Sequence, residues 1–343
     1  MNVRRKPTME DVAKASGVSY STVERVLNGR GGVAREKESR VLEWARKLKM
    51  DRALGEVSVR WLRIAILTQK PSSPYYVALQ QGFELAQKSF ETHRVVCHLT
   101  FFDDLEPQSL AAVINRASQK ADAMIVVAYE HSVVVDAISR VARKIPVVTL
   151  ASDLPDTGRL AYVGIDNRCA GRTAGELMGR FIGRDGGQVI VIAGLRTYLG
   201  HEEREGAFRS VMRRKFPACE VVATVESRED EKSTERLTRD AFKKYPDLRG
   251  IYNLSVGDEG IARALKALKR EHSTVLIGHE LTEISRALLI EGVMDAVLDQ
   301  SPFVEAVRAV EAILGHYNRG TPSGLPLQTP MSIYLQENLP PAP

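Results

Sequence analysis

From Leu62 onward the chain alternates short aliphatic, β-branched runs with amphipathic helical stretches, and no other feature restricts the fold as much. The spacing predicts strands at Leu62–Leu67, Val95–Thr100, Ala123–Val127, Pro146–Leu150, Tyr162–Ile165, Val189–Ala193, Val221–Val225, Gly250–Asn253, Thr274–Ile277 and Ala296–Asp299. Helical patterns separate most of them, as at Tyr76–Phe90, Ala170–Ile182, Glu203–Phe216 and Ile261–Lys269. Continuous apolar strands alternating with helices imply parallel sheets covered on both faces. About ten strands are too many for one small sheet, so residues 62–343 are expected to form two α/β lobes. With 44% hydrophobic residues in 343, there is enough apolar material for substantial cores.

The first 50 residues follow a different pattern. Thr8 is placed to cap a helix, with Asp11 three positions on as its capping-box partner. That helix carries Val12 and Ala13 inward and ends near Ser16, where Gly17 supplies a tight turn. Ser19 caps a second helix, and Asn28-Gly29 is expected to end it in a left-handed cap. Val23, Val26 and Leu27 share one face of this helix, while Tyr20, Ser21, Glu24 and Arg25 occupy the other. A third helix, Glu36 to Lys49, places Val41, Leu42, Ala45 and Leu48 on one side, to pack across the first two. This is the spacing of a helix-turn-helix, whose second helix enters the DNA major groove. An ordinary helical hairpin has similar spacing, and charge decides between the two. Residues 1–63 hold 15 Lys and Arg against 8 Asp and Glu, a net of +7 in a chain of net +5. The remainder is therefore about −2, and a basic module on a mildly acidic body is the footprint of nucleic-acid binding.

Other function classes find little support in the sequence. No run is long and apolar enough to span a bilayer, and no membrane partner is expected. The basic N-terminus runs into Thr8-Met9-Glu10-Asp11 rather than an apolar core, so it does not read as an export signal, and a cytoplasmic protein is expected. Cys97, Cys169 and Cys219 are widely spaced and read as reduced cysteines. His201-Glu202-Glu203 lacks the second histidine of a zinc-protease helix, and no phosphate-binding glycine loop is present. No catalytic residue, metal site or cofactor is expected.

In open parallel sheets, ligands bind beyond the C-terminal ends of the strands. Ser73-Pro74-Tyr75-Tyr76 follows the first predicted strand, Glu130-His131 the third, and Asp166-Asn167 the fifth. Arg204 opens a helix after Val189–Ala193, Asp258 follows Gly250–Asn253, Glu280 follows Thr274–Ile277, and Gln300 ends the last strand. Paired donors and acceptors suit vicinal hydroxyls, and aromatic faces suit the C–H surface of a sugar or polyol. Taken singly, each residue reads as a cap or a loop solvator, Asp166 and Glu280 especially. Their joint placement is what points to a ligand.

These stretches resemble the lactose/galactose repressor family of bacterial transcription regulators over essentially the whole chain. The resemblance is carried by Met9-Glu10-Asp11-Val12-Ala13, Gly17-Val18-Ser19, Ser21-Thr22-Val23 and Arg25-Val26-Leu27-Asn28. In the body, Ser73-Pro74-Tyr75-Tyr76 is similar to the family's Asn-Pro-aromatic-aromatic element, Asp166-Asn167 to its Asp-Asn pair, and Arg204 to its ligand-clamping arginine. Gln300 resembles the glutamine on the last strand of ribose-binding proteins. The resemblance implies a helix-turn-helix domain at 1–50, a hinge at 51–61, and a two-lobed body of the periplasmic-binding-protein type at 62–343. It implies DNA contacts from Thr8, Ser19, Tyr20, Ser21, Thr22, Arg25 and Asn28. The expected effector set is Tyr75, Tyr76, His131, Asp166, Arg204, Asp258, Glu280 and Gln300, holding a sugar or polyol between the lobes. A homodimer on a near-palindromic operator under effector control is implied, most readily as a repressor. The alternative is a solute receptor of the periplasmic type with no role in transcription. The chain departs from the family at the hinge, where Met50-Asp51-Arg52-Ala53 replaces Tyr-x-Pro-Asn and Val59 stands where a leucine wedges into the minor groove. Leu54 is the other candidate wedge, and Gly55, Val57 and Val59 predict a weak hinge helix or none. Gly257-Asp258 replaces the family's Asn-Asp, and His279-Glu280 its Phe-Asp.

Overall fold

The computed structural model describes residues 7–28, 32–48, 50, 60–71, 73–102, 106–195, 197–319 and 327–341, grouped in two compact units, Met1–Leu62 and Arg63–Pro343. The expected hinge residues Leu54, Val57 and Val59 lie outside the described residues.

The first unit contains α1 (Met9–Ser16), α2 (Tyr20–Leu27) and α3 (Arg35–Lys47). The capping box of α1 is present: the Thr8 amide donates to Asp11 Oδ2 at 2.7 Å, and the Asp11 amide to Thr8 Oγ1 at 3.4 Å. Gly17 turns the chain with φ 67°, and the Ser19 hydroxyl accepts from the Thr22 amide to start α2. Val12, Val23, Val26, Leu27, Val41 and Ala45 form the core, with Leu42 and Leu48 packed at its edge. One expected detail is corrected. Asn28 has φ −96° and ψ 6°, not a left-handed backbone, because its amide still bonds to the Glu24 carbonyl in helical fashion. Gly29 lies outside the described residues.

The second unit consists of two α/β lobes. The first lobe is built on β1 (Leu62–Gln69), β2 (Val95–Phe102), β3 (Ala123–Val126), β4 (Val147–Leu150) and β5 (Ala161–Val163), in spatial order β2-β1-β3-β4-β5. Its connecting helices are α4 (Pro74–Ser89), α5 (Pro107–Ser118) and α6 (Ser132–Ala142). The second lobe runs through α7 (Asn167–Ile182), β6 (Gly187–Ala193), α8 (Leu199–Lys215), β7 (Cys219–Glu226), α9 (Glu231–Lys244), β8 (Leu248–Asn253), α10 (Asp258–Leu268), β9 (Val275–His279), α11 (Glu283–Ile290) and β10 (Ala296–Asp299). All ten predicted strands are present. Every residue of β3, β4 and β10 is buried, as strands covered on both faces require.

An eleventh strand, β11 (Ser332–Tyr334), was not predicted. It pairs antiparallel with β10 at the end of the order β11-β10-β9-β8-β6-β7. The helix α12 (Pro302–His316) leaves the second lobe and packs on the first, against α4. Tyr75 Oη donates to Glu305 Oε2 at 2.8 Å, and Tyr317 Oη to the Asp122 carbonyl at 2.6 Å. The chain therefore crosses between lobes three times: after β5, after β10, and between α12 and β11. The first and last crossings run together, with the Thr329 amide donating to the Gly164 carbonyl at 2.9 Å.

Candidate functional site

On the helical unit, burial follows the amphipathic pattern of α2. Its apolar side is sealed in the core, and Ser19, Tyr20, Ser21, Arg25 and Asn28 are exposed, Tyr20 by 50% despite its size. Thr8 and Ser19 are already engaged as helix caps, so their hydroxyls position the helices. Ser21, Thr22, Glu24 and Arg25 line a shallow groove with Gly32, Val33, Ala34 and Lys37 of the approach to α3.

In the body, a cavity of about 110 Å³ is lined from both lobes at the strand ends. Ser73, Pro74, Tyr75, Tyr76, Val127 and Ser152 come from the first lobe; Tyr198, Arg204, Asp258, His279, Glu280 and Gln300 are among those from the second. The lobes also touch directly. The Glu130 amide donates to the Thr197 carbonyl at 2.9 Å, and Gln69 Nε2 donates to the Tyr198 hydroxyl.

Arg204 is the centre of the polar wall. It is 4% exposed, and it donates from Nε to Asn167 Oδ1 (2.7 Å), from Nη1 to the Leu254 carbonyl (3.0 Å) and from Nη2 to Gln300 Oε1 (2.9 Å). Gln300 in turn donates from Nε2 to Glu280 Oε1. Close helix packing fixes this arginine: a Cβ on Gly171 of α7 would fall 2.1 Å from the Arg204 carbonyl oxygen, so only glycine lets α7 and α8 meet there. Glu280 sits on left-handed backbone, φ 69°, which aims its side chain off the end of β9. Burial pushes its carboxyl well above the ordinary range, with Asp299 adding to the effect. Burial also raises Asp258 to about 7, although Asn253 Nδ2 donates to it at 2.7 Å. Behind Tyr75, Glu305 is pushed up to about 8 by the same cause. His201 is pushed down to about 3 by burial and His279 lies well below its ordinary value, so both are neutral imidazoles.

Tyr75, Tyr76, Arg204, Asp258, Glu280 and Gln300 thus meet in one cavity. His131 and Asp166 are not brought to it. Each caps the helix that follows: His131 Nδ1 accepts from the Val133 amide at 3.3 Å, and Asp166 Oδ1 from the Cys169 amide at 2.8 Å. Of the Asp166-Asn167 pair, it is Asn167 that reaches inward, onto Arg204. Ser152, Tyr198, Glu229 and His279 also line the cavity without having been predicted. Two of them had a visible signal. Ser152 follows β4 and Glu229 follows β7, the same strand-end position that singled out the others.

Comparison with known proteins agrees with both units. Residues 64–320 match the periplasmic binding protein domain, and residues 8–50 match the lacI family of bacterial regulatory proteins. The chain is 23% identical over 254 residues to the ribose import binding protein RbsB of Salmonella typhimurium, covering 72% of this chain and 82% of that one. It is 28% identical over 172 residues to the HTH-type transcriptional regulator PtxS of Pseudomonas putida, 48% of each chain. The glucose-galactose binding protein GanP of Geobacillus stearothermophilus has the same fold, with TM-score 0.74 and 23% identity over 82% of this chain and 99% of that one. With a lacI-family domain at residues 8–50 joined to its binding body, the chain belongs to the periplasmic binding protein domain family.

Proposed function

We infer that this protein is a sequence-specific DNA-binding transcription regulator, acting as a repressor, whose operator affinity is set by a small sugar-like molecule between the lobes of its body. One observation carries the reading: a helix-turn-helix with an exposed polar face shares a chain with a cavity lined from two lobes. Closure of two lobes on a ligand is a hinge motion that ligand binding biases directly. The similarity to sugar-binding proteins supports the effector class, and the basic charge of residues 1–63 supports DNA as the partner. The protein would work in the cytoplasm, where operator DNA lies. One helix-turn-helix makes too few base contacts for useful specificity, so the working form is a homodimer on a near-palindromic site, with residues 51–61 as the hinge.

Selection of duplexes from a random library by the full chain tests this reading. Enrichment of one near-palindromic sequence is expected. Arg25→Ala should cost about 1–3 kcal/mol on it and relax preference at one base position. Retention that depends on salt but not on sequence would overturn the reading. A monomer in sedimentation at micromolar concentration, with or without the selected DNA, would remove the dimer from it.

A further inference from the structure

The polar wall of the cavity has a charge composition that narrows the ligand further. Among the described lining residues, the carboxyl groups are those of Glu229, Glu231, Asp258 and Glu280, and the one arginine or lysine is Arg204. Glu305 adds a fifth carboxyl directly behind Tyr75. The arginine already uses three N–H groups on neutral protein acceptors. Several buried polar atoms, by contrast, are unused. Glu280 Oε2 and Glu305 Oε1 are buried without a protein partner, and so is Nδ1 of His279, a residue only 3% exposed.

A carboxylate or phosphate ligand would bring one more negative charge among these acids, with a single committed guanidinium to meet it. A neutral sugar would leave the buried acids in the protonated form that burial favours and make no use of their charge. A ligand cation reverses both situations, because a nearby positive charge favours the ionised form of a buried acid and is itself paired on leaving water. Burial holds Glu280, Asp258 and Glu305 above their ordinary range, so they are the groups such a cation would ionise. Tyr75, Tyr76 and Tyr198 line the same space, and phenol rings attract ammonium groups through their faces.

We propose, building on the reading of this cavity as the effector site, that the effector is a hydroxylated amine, an amino sugar or amino polyol, whose ammonium group pairs with Glu280 and Asp258. Its hydroxyl groups meet Ser152 and Gln300, and the three tyrosines face its carbon skeleton.

Calorimetry and thermal shift on the full chain test this with matched probes. The amines are D-glucosamine, D-galactosamine and N-methyl-D-glucamine; the neutral counterparts are D-glucose, D-galactose and D-glucitol; the acids are D-gluconate and D-galactonate. At least one amine should bind about tenfold or more tightly than its neutral counterpart, and neither acid should bind. Glu280→Gln keeps the shape and removes the charge, so it should abolish that preference, bringing the amine and its neutral counterpart to similar affinity. Asp258→Asn should act the same way and covers the case in which the first variant does not fold. A neutral sugar or acid that binds as tightly as its amine overturns the proposal, as does the absence of binding by every amine. Retention of the selected operator, measured in the same titrations, separates the two readings. An amine that binds but leaves retention unchanged counts against the regulator and not against the ligand class. A neutral sugar that alone releases DNA counts the other way.

Discussion

The two walls of the cavity are made of different chemistry. The first lobe presents rings and small groups: Pro74, Tyr75, Tyr76, Val127 and Ser152. The second presents nearly all the charge: Arg204, Glu229, Glu231, Asp258 and Glu280. The acids stand at strand ends or at the start of the next helix, on a lobe whose sheet has five parallel strands and so many converging helix starts. The difference teaches a division of labour. The second lobe carries the charged groups, and the three partners of Arg204 (Asn167, Leu254 and Gln300) all come from that lobe. The first lobe supplies the shape and a direct contact to the second, from Gln69 Nε2 to the Tyr198 hydroxyl.

Four measurements would break or sharpen that contrast. The largest effect is expected for Arg204→Met, which leaves Asn167 Oδ1, the Leu254 carbonyl and Gln300 Oε1 without their donor. A loss of about 3–5 kcal/mol in denaturant unfolding is expected. A loss below about 1 kcal/mol would mean that the polar wall is held by something other than this arginine. Next, Gly171→Ala should cost about 2–3 kcal/mol, because its methyl group would meet the Arg204 carbonyl. Gly206→Ala on the same helix α8 meets nothing within 4 Å and should instead stabilise by about 0.5–1 kcal/mol. Equal effects at the two glycines would deny the close packing of α7 on α8 its role.

The third measurement is pH dependence. Asp258 and Glu305 titrate near 7 and 8 when folded, far above their unfolded values, so between these limits the folded chain holds protons that the unfolded chain has released. Their contribution is therefore complete in acid and lost as pH rises. His201 and His279, shifted downward, act in the opposite sense and mainly below 6.5. From pH 6.5 to 7.5, these two acids should lower stability by about 2 kcal/mol in urea titrations, and Glu280, raised in the same direction, adds to the fall. Glu305→Gln should flatten that slope more than Asp258→Asn, and the reverse order would move the controlling acid to the second lobe. The smallest effect is Tyr75→Phe, which strips Glu305 of its one hydroxyl donor on the first-lobe side. About 1 kcal/mol is expected by thermal denaturation, and no change would show that this carboxyl needs no partner.

The architecture was legible where physics leaves a local mark. Strands buried on both faces must be largely apolar, and β3, β4 and β10 read so, with Thr149 and Asp299 their polar members. β11 left no such mark, since it is three partly exposed residues whose place is set by pairing with β10. The start of α8 was read too late, because Gly200 in its first turn is a poor helix former; it is there because a Cβ would crowd the Asn167 side chain at 3.0 Å. Position after a strand found Arg204, Asp258, Glu280 and Gln300, but it could not tell a ligand residue from a cap. His131 and Asp166 stand in equivalent places with side chains turned back onto their own helices. Glu305 was out of reach altogether. It lies inside a helix, fully buried, and its partner Tyr75 is 230 residues away.

The return of α12 to the first lobe bears on how the chain is made. Synthesis runs from the N-terminus, and 230 residues separate Tyr75 from Glu305. The first lobe emerges with its sheet complete but without the helix that covers α4, and it waits for α7 through β10 of the second lobe before that face is closed. Contacts so distant in sequence are slow to form, and apolar surface exposed meanwhile invites association with other chains. The two lobes look like successive modules, yet each is finished only by a later piece of chain, the first by α12 and the second by β11. A nascent chain halted before Pro302 would carry an uncovered first lobe, and chaperone capture should be strongest on that intermediate.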